Sequence, residues 1–210
     1  AMTKLIFLPG ASGRKAAWEK WTQSFSERYS IAVVGWPGLD SEPDDPEINH
    51  IADLRRVVAN LVEDSTVLFA QSMGGVVALH TYLEHQESIV ALVLCVTSGG
   101  LNKEEFDCEN WRPDFLSDNP EAPRWFVDCE DDLTHLWTQV KVPVLLLWGS
   151  LDRISPVAMG KKLNNLITDS ELVVVDNAGH DLIETHAANL LPIVREFLKK
   201  IDSLPSVQDV

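Results

Sequence analysis

The sequence predicts an α/β fold: a doubly wound, mostly parallel sheet of about six strands with a short helical insert. Short, continuous apolar runs recur along the 210 residues, and amphipathic helical patterns fill the gaps between them. Runs that are continuous rather than alternating fit strands buried on both faces, as in a parallel sheet. The rhythm breaks once, over residues 101–140, where no apolar run occurs.

The predicted strands are Leu5–Leu8, Ile31–Val34, Thr66–Ala70, Ile89–Val96, Val142–Trp148 and Glu171–Val175. Between them, Ala17, Trp18, Trp21 and Phe25 mark one helix face. Ile48, Ile51, Leu54, Val58 and Leu61 mark a second, with Pro46 placed for its first turn. Val76, Ala78, Leu79 and Leu83 mark a third. Ser155-Pro156 opens a fourth, bearing Met159, Leu163 and Ile167. A C-terminal helix runs from Ala187 through Leu190, Val194 and Leu198 to Ile201. Strand–helix alternation of this kind calls for right-handed crossovers in one layered domain, 1–210, interrupted by the insert at about 101–140.

That insert holds 11 acidic against three basic residues, Lys103, Arg112 and Arg124, and so −8 of the chain's net −15. It also holds six of the 16 aromatic residues. A charged exterior with interleaved aromatics reads either as an ordinary packed excursion or as a lid over an apolar pocket.

Composition narrows the function classes. The chain is 45% hydrophobic and 23% charged, ordinary for a globular protein. An excess of 32 acidic over 17 basic residues repels phosphate backbones and anionic lipid. Neither a nucleic-acid nor a membrane partner is expected, and the longest apolar runs fall far short of the ~20 residues of a membrane span. Ala1 before Met2 reads as an extra leading residue, and no secretion signal is expected after it. Cys95 lies in an apolar run and is expected in the core. Cys108 and Cys129 lie in the acidic insert, where they can pair in principle. Three cysteines without metal spacing predict a reduced, cytoplasmic protein with no metal site.

Chemistry concentrates in four loops, each following a predicted strand. The first is Ala70-Gln71-Ser72-Met73-Gly74-Gly75, between a strand and a helix. A serine hydroxyl is a weak nucleophile until a turn lifts it clear and a base takes its proton. A turn that sharp needs small residues two before and two after, and Ala70 and Gly74 satisfy this. The second is Leu8-Pro9-Gly10-Ala11-Ser12-Gly13, a source of backbone N–H groups or a plain glycine turn. It lacks the Gly-Lys-Ser/Thr ending of a phosphate loop. The third, Trp148-Gly149-Ser150-Leu151-Asp152, places a carboxylate past a strand, as a turn residue or as a partner for a histidine. The fourth is Asn177-Ala178-Gly179-His180-Asp181. His50, His80, His85 and His186 fall on helical patterns as surface or core residues, and His135 in the insert is the alternative to His180.

Together these strings resemble the α/β-hydrolase family over about residues 3–100 and 141–203. The first resembles its nucleophile elbow, with Ala70 for the usual glycine. The second resembles its oxyanion loop, with Pro9-Gly10 where many relatives have His-Gly. Ser72, Asp152 and His180 come in the order of that fold, past strand ends that share one rim. The resemblance implies a triad of Ser72, Asp152 and His180 and an oxyanion hole of the Ala11 and Met73 N–H groups. It implies no cofactor. The first strand here corresponds to the family's third, so the leading hairpin is missing.

The implied activity is hydrolysis of carboxylic esters with small to medium, largely apolar acyl groups. Trp36, Trp111 and Trp125 are the candidate substrate-lining residues, with Trp36, just past the second strand, equally suited to packing. The acidic insert disfavours anionic substrates unless Arg112 or Arg124 turns inward. Alternatives are an iminopeptidase-like amide hydrolase, a carbon–carbon hydrolase or lyase of the same fold, and a non-catalytic binding protein.

Overall fold

A computed structural model of the chain describes residues 2–205; Ala1 lies outside that range. Its strands are β1 (Lys4–Leu8), β2 (Ser30–Val33), β3 (Thr66–Gln71), β4 (Ile89–Cys95), β5 (Val144–Gly149) and β6 (Ser170–Val175). They form one sheet in the order β2-β1-β3-β4-β5-β6, with every pair parallel. The chain leaves β1 toward one edge, to β2, and returns to its other side for β3. The switch point of this open sheet therefore lies between β1 and β3, where ligands bind.

β1 is buried at every position, and β3, β4 and β5 at nearly every one, as continuous apolar runs require. The two edge strands differ. β2 is half-buried throughout, and β6 leaves Val174 40% exposed. An edge strand has a sheet neighbour on one side only, so part of it faces water however apolar it is. β5 starts at Val144, two residues later than expected. Pro143 has no N–H for the ladder, and only its carbonyl serves, accepting from Leu92 N–H at 3.1 Å.

The α-helices are α1 (Glu19–Phe25), α2 (Arg55–Ala59), α3 (Gly74–Glu84), α4 (Arg112–Asp118), α5 (Arg124–Asp128), α6 (Val157–Leu166), α7 (Leu182–Thr185) and α8 (Ala187–Ser203). The expected second helix from Pro46 is much shorter. Asp45 accepts the Glu47 N–H and Asp53 the Asn49 N–H, so side chains hold residues 45–49 in turns. Helical winding begins only after His50, whose ring caps a 3-10 turn at Ile51–Leu54. Residues 101–140 hold α4, α5 and 3-10 turns at Lys103–Glu105 and Thr134–Gln139.

An aromatic cluster packs β1 and β3 against the first helical segment. Phe7 and Phe69 stack at 4.5 Å, and Trp18 meets Trp21 edge-on at 5.1 Å. Each such buried ring contributes about 1.5–3 kcal/mol to holding this helical segment on the sheet. No helix among the described residues is long and apolar enough to cross a membrane.

Candidate active site

Ser72 follows β3 by one residue and precedes α3 by two. Its φ of +52° is left-handed, a strained conformation for a non-glycine residue and one found at functional turns. The turn is pinned on both sides: Ser72 N–H donates to Cys95 O at 2.9 Å, and Gly75 N–H donates to Ser72 O at 2.9 Å. Gly74 is required by crowding, because a Cβ there would lie 2.7 Å from Pro9 O. Ala70 is fully buried, so its methyl fits where a glycine is usual.

Asp152 and His180 arrive on two loops stitched together. Ser150 N–H donates to Val175 O at 3.0 Å, Leu151 N–H to Ala178 O at 2.9 Å, and Asn177 N–H to Ser150 Oγ at 2.9 Å. Gly149 makes this approach possible, since a Cβ there would sit 2.3 Å from Ala178 O. The buried Asp152 carboxylate accepts Ile154 and Ser155 N–H at Oδ1, both at 2.9 Å. Its Oδ2 lies 2.8 Å from His180 Nδ1, and His180 Nε2 lies 3.0 Å from Ser72 Oγ. A carboxylate can only accept, so the imidazole carries its proton on Nδ1 and leaves Nε2 free to accept from Ser72. Residues 72, 152 and 180 thus form one continuous hydrogen-bonded line.

Ala11 and Met73 flank this line at the cavity wall, and neither backbone N–H has a protein acceptor among the described residues. Met73 caps the N-terminus of α3, where such N–H groups are free and the helix end favours negative charge. The loop bearing Ala11 is held from behind by Trp36. Its indole N–H donates to Pro9 O and Gly10 O, both at 3.1 Å. Trp36 is fully buried and lies outside the cavity lining, so it anchors the loop and does not face substrate. The same device recurs. Trp18 N–H donates to Leu8 O, Trp148 N–H to Ser155 O, Trp21 N–H to Ile183 O and Trp137 N–H to Gly99 O. Five of the seven tryptophans are fully buried and each holds a main-chain carbonyl, those of Leu8 and Ile183 in β1 and α7 and the others in loops. Apolar counting hides that role, since it registers the ring and not its N–H.

The cavity has a volume of about 600 Å³ and lies between the strand ends and residues 101–133 of the insert. Met73, Leu101, Trp111, Phe115, Phe126 and Ile154 give it apolar walls. Trp111 lines it as expected. Trp125 does not; it packs on Phe126 at 5.5 Å, because α5 turns Phe126 rather than Trp125 inward. Arg112 turns inward and Arg124 outward, the latter paired with Asp128. His80, expected as surface or core, stands half-buried on the wall. Burial, reinforced by Arg55 and His50, holds its imidazole below the ordinary histidine range.

All three cysteines are free thiols. Cys95 is in the core, where burial pushes its pKa up, while Cys108 and Cys129 line the cavity and are not bonded to each other. His50, Cys129 and Asp131 lie close enough together to outline a metal cluster. The hydrogen bonds oppose that use. His50 Nδ1 accepts the Ala52 N–H at 2.9 Å, so the neutral ring is protonated at Nε2, which faces Asp131 at 3.0 Å and Cys129 Sγ at 3.7 Å. The trio ties the insert to the body.

The chain matches the sequence model described as the alpha/beta hydrolase family over residues 5–192. Among characterised proteins it is similar to pimeloyl-[acyl-carrier protein] methyl ester esterase of Neisseria meningitidis, at 23% identity over 98% of this chain and 80% of that protein. Among solved structures it resembles a thermophilic esterase from Thermogutta terrifontis, with a TM-score of 0.78 at 21% identity, covering 95% of this chain and 90% of the other. An esterase from Exiguobacterium antarcticum gives a TM-score of 0.77 at 17% identity, covering 94% and 92%.

Proposed function

This chain belongs to the alpha/beta hydrolase family, and from that premise we propose that it is a serine hydrolase of carboxylic esters with small to medium, largely apolar acyl groups. The observation that supports it most is the unbroken Ser72–His180–Asp152 line at 3.0 and 2.8 Å, opening on an apolar cavity. The esterase names of its relatives support the same reading. A complete triad argues against a binding protein that has lost catalysis.

In this mechanism Ser72 Oγ attacks the ester carbonyl while His180 Nε2 accepts the hydroxyl proton. Asp152 holds the imidazole in register and balances the charge it gains. The N–H groups of Ala11 and Met73 donate to the developing oxyanion, a contribution of about 3–4 kcal/mol per donor where the site excludes water. His180 then hands its proton to the departing alcohol. Water enters, loses a proton to His180, and attacks the acyl-enzyme. The acid leaves and Ser72 regains its proton. Every proton is accounted for by these side chains. Free thiols support a reduced, cytoplasmic setting.

The test is hydrolysis of short p-nitrophenyl esters by the intact chain and by Ser72→Ala. The expected result is turnover by the former, a loss of at least about 10³-fold in the latter, and equal thermal melting of both. A fluorophosphonate probe should label the first protein alone. Equal rates in the two proteins refute the assignment.

A further inference from the structure

The insert's cations are used unevenly. Of its three, Arg124 is paired with Asp128, but Lys103 and Arg112 have no carboxylate oxygen within 4.0 Å among the described residues, although 11 acidic residues share the segment. Both line the cavity that contains Ser72 and His180. Lys103 lies in the 3-10 turn soon after β4, and its ammonium donates no hydrogen bond to a described residue. Arg112 opens α4. Its Nε donates to Val127 O at 2.6 Å, and its guanidinium carbon lies 5.3 Å from the centre of the Trp111 ring. One side of the fork is therefore anchored, and its two terminal nitrogens have no protein acceptor among the described residues.

Two unneutralised cations in a partly buried wall are costly unless an anion joins them. Burial and the nearby Arg112 charge both depress the Lys103 pKa, which shows the same tension from another side. The cavity also has acids at its rim: Glu104, Glu109, Glu130, Asp131 and Asp132, all exposed. Glu109 is occupied by Arg153, Asp131 by His50 and Asp132 by Thr134. Exposed charges act through water and salt, with a screening length of about 8 Å, whereas the two cations act on a ligand at contact.

We propose that Lys103 and Arg112 form an anion subsite within the acyl pocket, and that the preferred substrate is an ester whose acyl chain ends in a carboxylate, a half-ester of a dicarboxylic acid. The inference rests on the esterase reading and deepens it. The acyl part is the one to anchor, because it stays on Ser72 through both half-reactions after the alcohol has gone. Apolar walls suit the methylene chain and the cation pair suits its far end. Arg112 supplies the planar fork that matches a carboxylate, and Lys103 adds a point charge.

The experiment compares two p-nitrophenyl esters of equal length, the hexanoate and the mono-ester of hexanedioic acid, as a ratio of kcat/KM. At low ionic strength the intact protein should favour the mono-ester at least tenfold, and added salt should shrink the ratio. Lys103→Met should cut the ratio at least tenfold, chiefly through KM for the mono-ester, and Lys103→Arg should restore most of it. A ratio at or below one in the intact protein overturns the subsite while leaving the esterase reading intact. So does a ratio that Lys103→Met leaves unchanged. If neither ester is cleaved, the esterase reading itself has failed, and calorimetric titration of monomethyl hexanedioate decides the subsite. Binding weakened tenfold by Lys103→Met supports it; equal affinity or no binding overturns it.

Discussion

Replacing Trp36 by phenylalanine separates loop positioning from chemistry, because the residue touches neither the triad nor the cavity. Its indole N–H is shared between Pro9 O and Gly10 O at 3.1 Å each. Gly10 O keeps a second bond, from Gly13 N–H at 3.0 Å, whereas Pro9 O has no other donor among the described residues. Trp36→Phe therefore leaves one buried carbonyl unpaired, at about 1–3 kcal/mol. The smaller ring adds about 1 kcal/mol for the void it leaves. At this chain length about 2–4 kcal/mol corresponds to a fall of roughly 4–16 °C in Tm. The functional effect follows from the next residue. In the proposed mechanism Ala11 supplies one oxyanion donor; deleting such a donor costs about 10²–10³ in kcat, and loosening it should cost about 10- to 100-fold. The assay is steady-state hydrolysis of a p-nitrophenyl ester with kcat and KM resolved, alongside thermal melting. KM should change little, since the cavity walls are untouched. A variant that melts lower but keeps its kcat would show that the loop holds its geometry without the indole, and the argument would be wrong.

Three further substitutions test these placements. Trp111→Ala should raise KM for a p-nitrophenyl ester about fivefold or more, because it strips a wall, while Trp125→Ala should leave KM within about twofold; equal effects would contradict the placement of α5. His80 has its folded pKa below the unfolded value near 6.5, so the unfolded chain binds the extra proton first as pH falls. Stability therefore drops as pH is lowered through that value toward the folded one, and His80→Gln should flatten the fall in Tm between pH 7 and pH 5. An identical slope in both proteins would mean that His80 titrates as it does in the unfolded chain.

Much of the site is legible from residue order. Ala70 and Gly74 flank Ser72 because a tight turn admits nothing larger, and a Cβ at Gly74 would indeed meet Pro9 O at 2.7 Å. Asp152 and His180 follow apolar runs that had to be strands, so a parallel sheet necessarily delivers them to the same rim. The sequence is silent where a side chain's direction matters. Trp36 follows a strand, where lining the rim and packing read alike, and Trp125 is an aromatic residue of the insert that composition assigns to the lining. One turns away to bind two carbonyls, and the other yields its place to Phe126. The short second helix has the same origin: Asp45, Asp53 and His50 bind local N–H groups that a hydrophobic pattern does not register.

Read by itself, the sequence determined the layered α/β architecture, the succession of its strands along the chain and the strand-end loops that carry Ser72, Asp152 and His180. Those follow from chain-local rules, apolar continuity and turn sterics, which act between residues close in number. Only the tertiary structure decided that Arg112 faces the cavity while Arg124 faces water, that Lys103 is left beside it unpaired, and that five indoles each bind a main-chain carbonyl. A cation and its absent partner, or a donor and its distant carbonyl, are related by position in space. Burial strengthens those relations and separation along the chain conceals them.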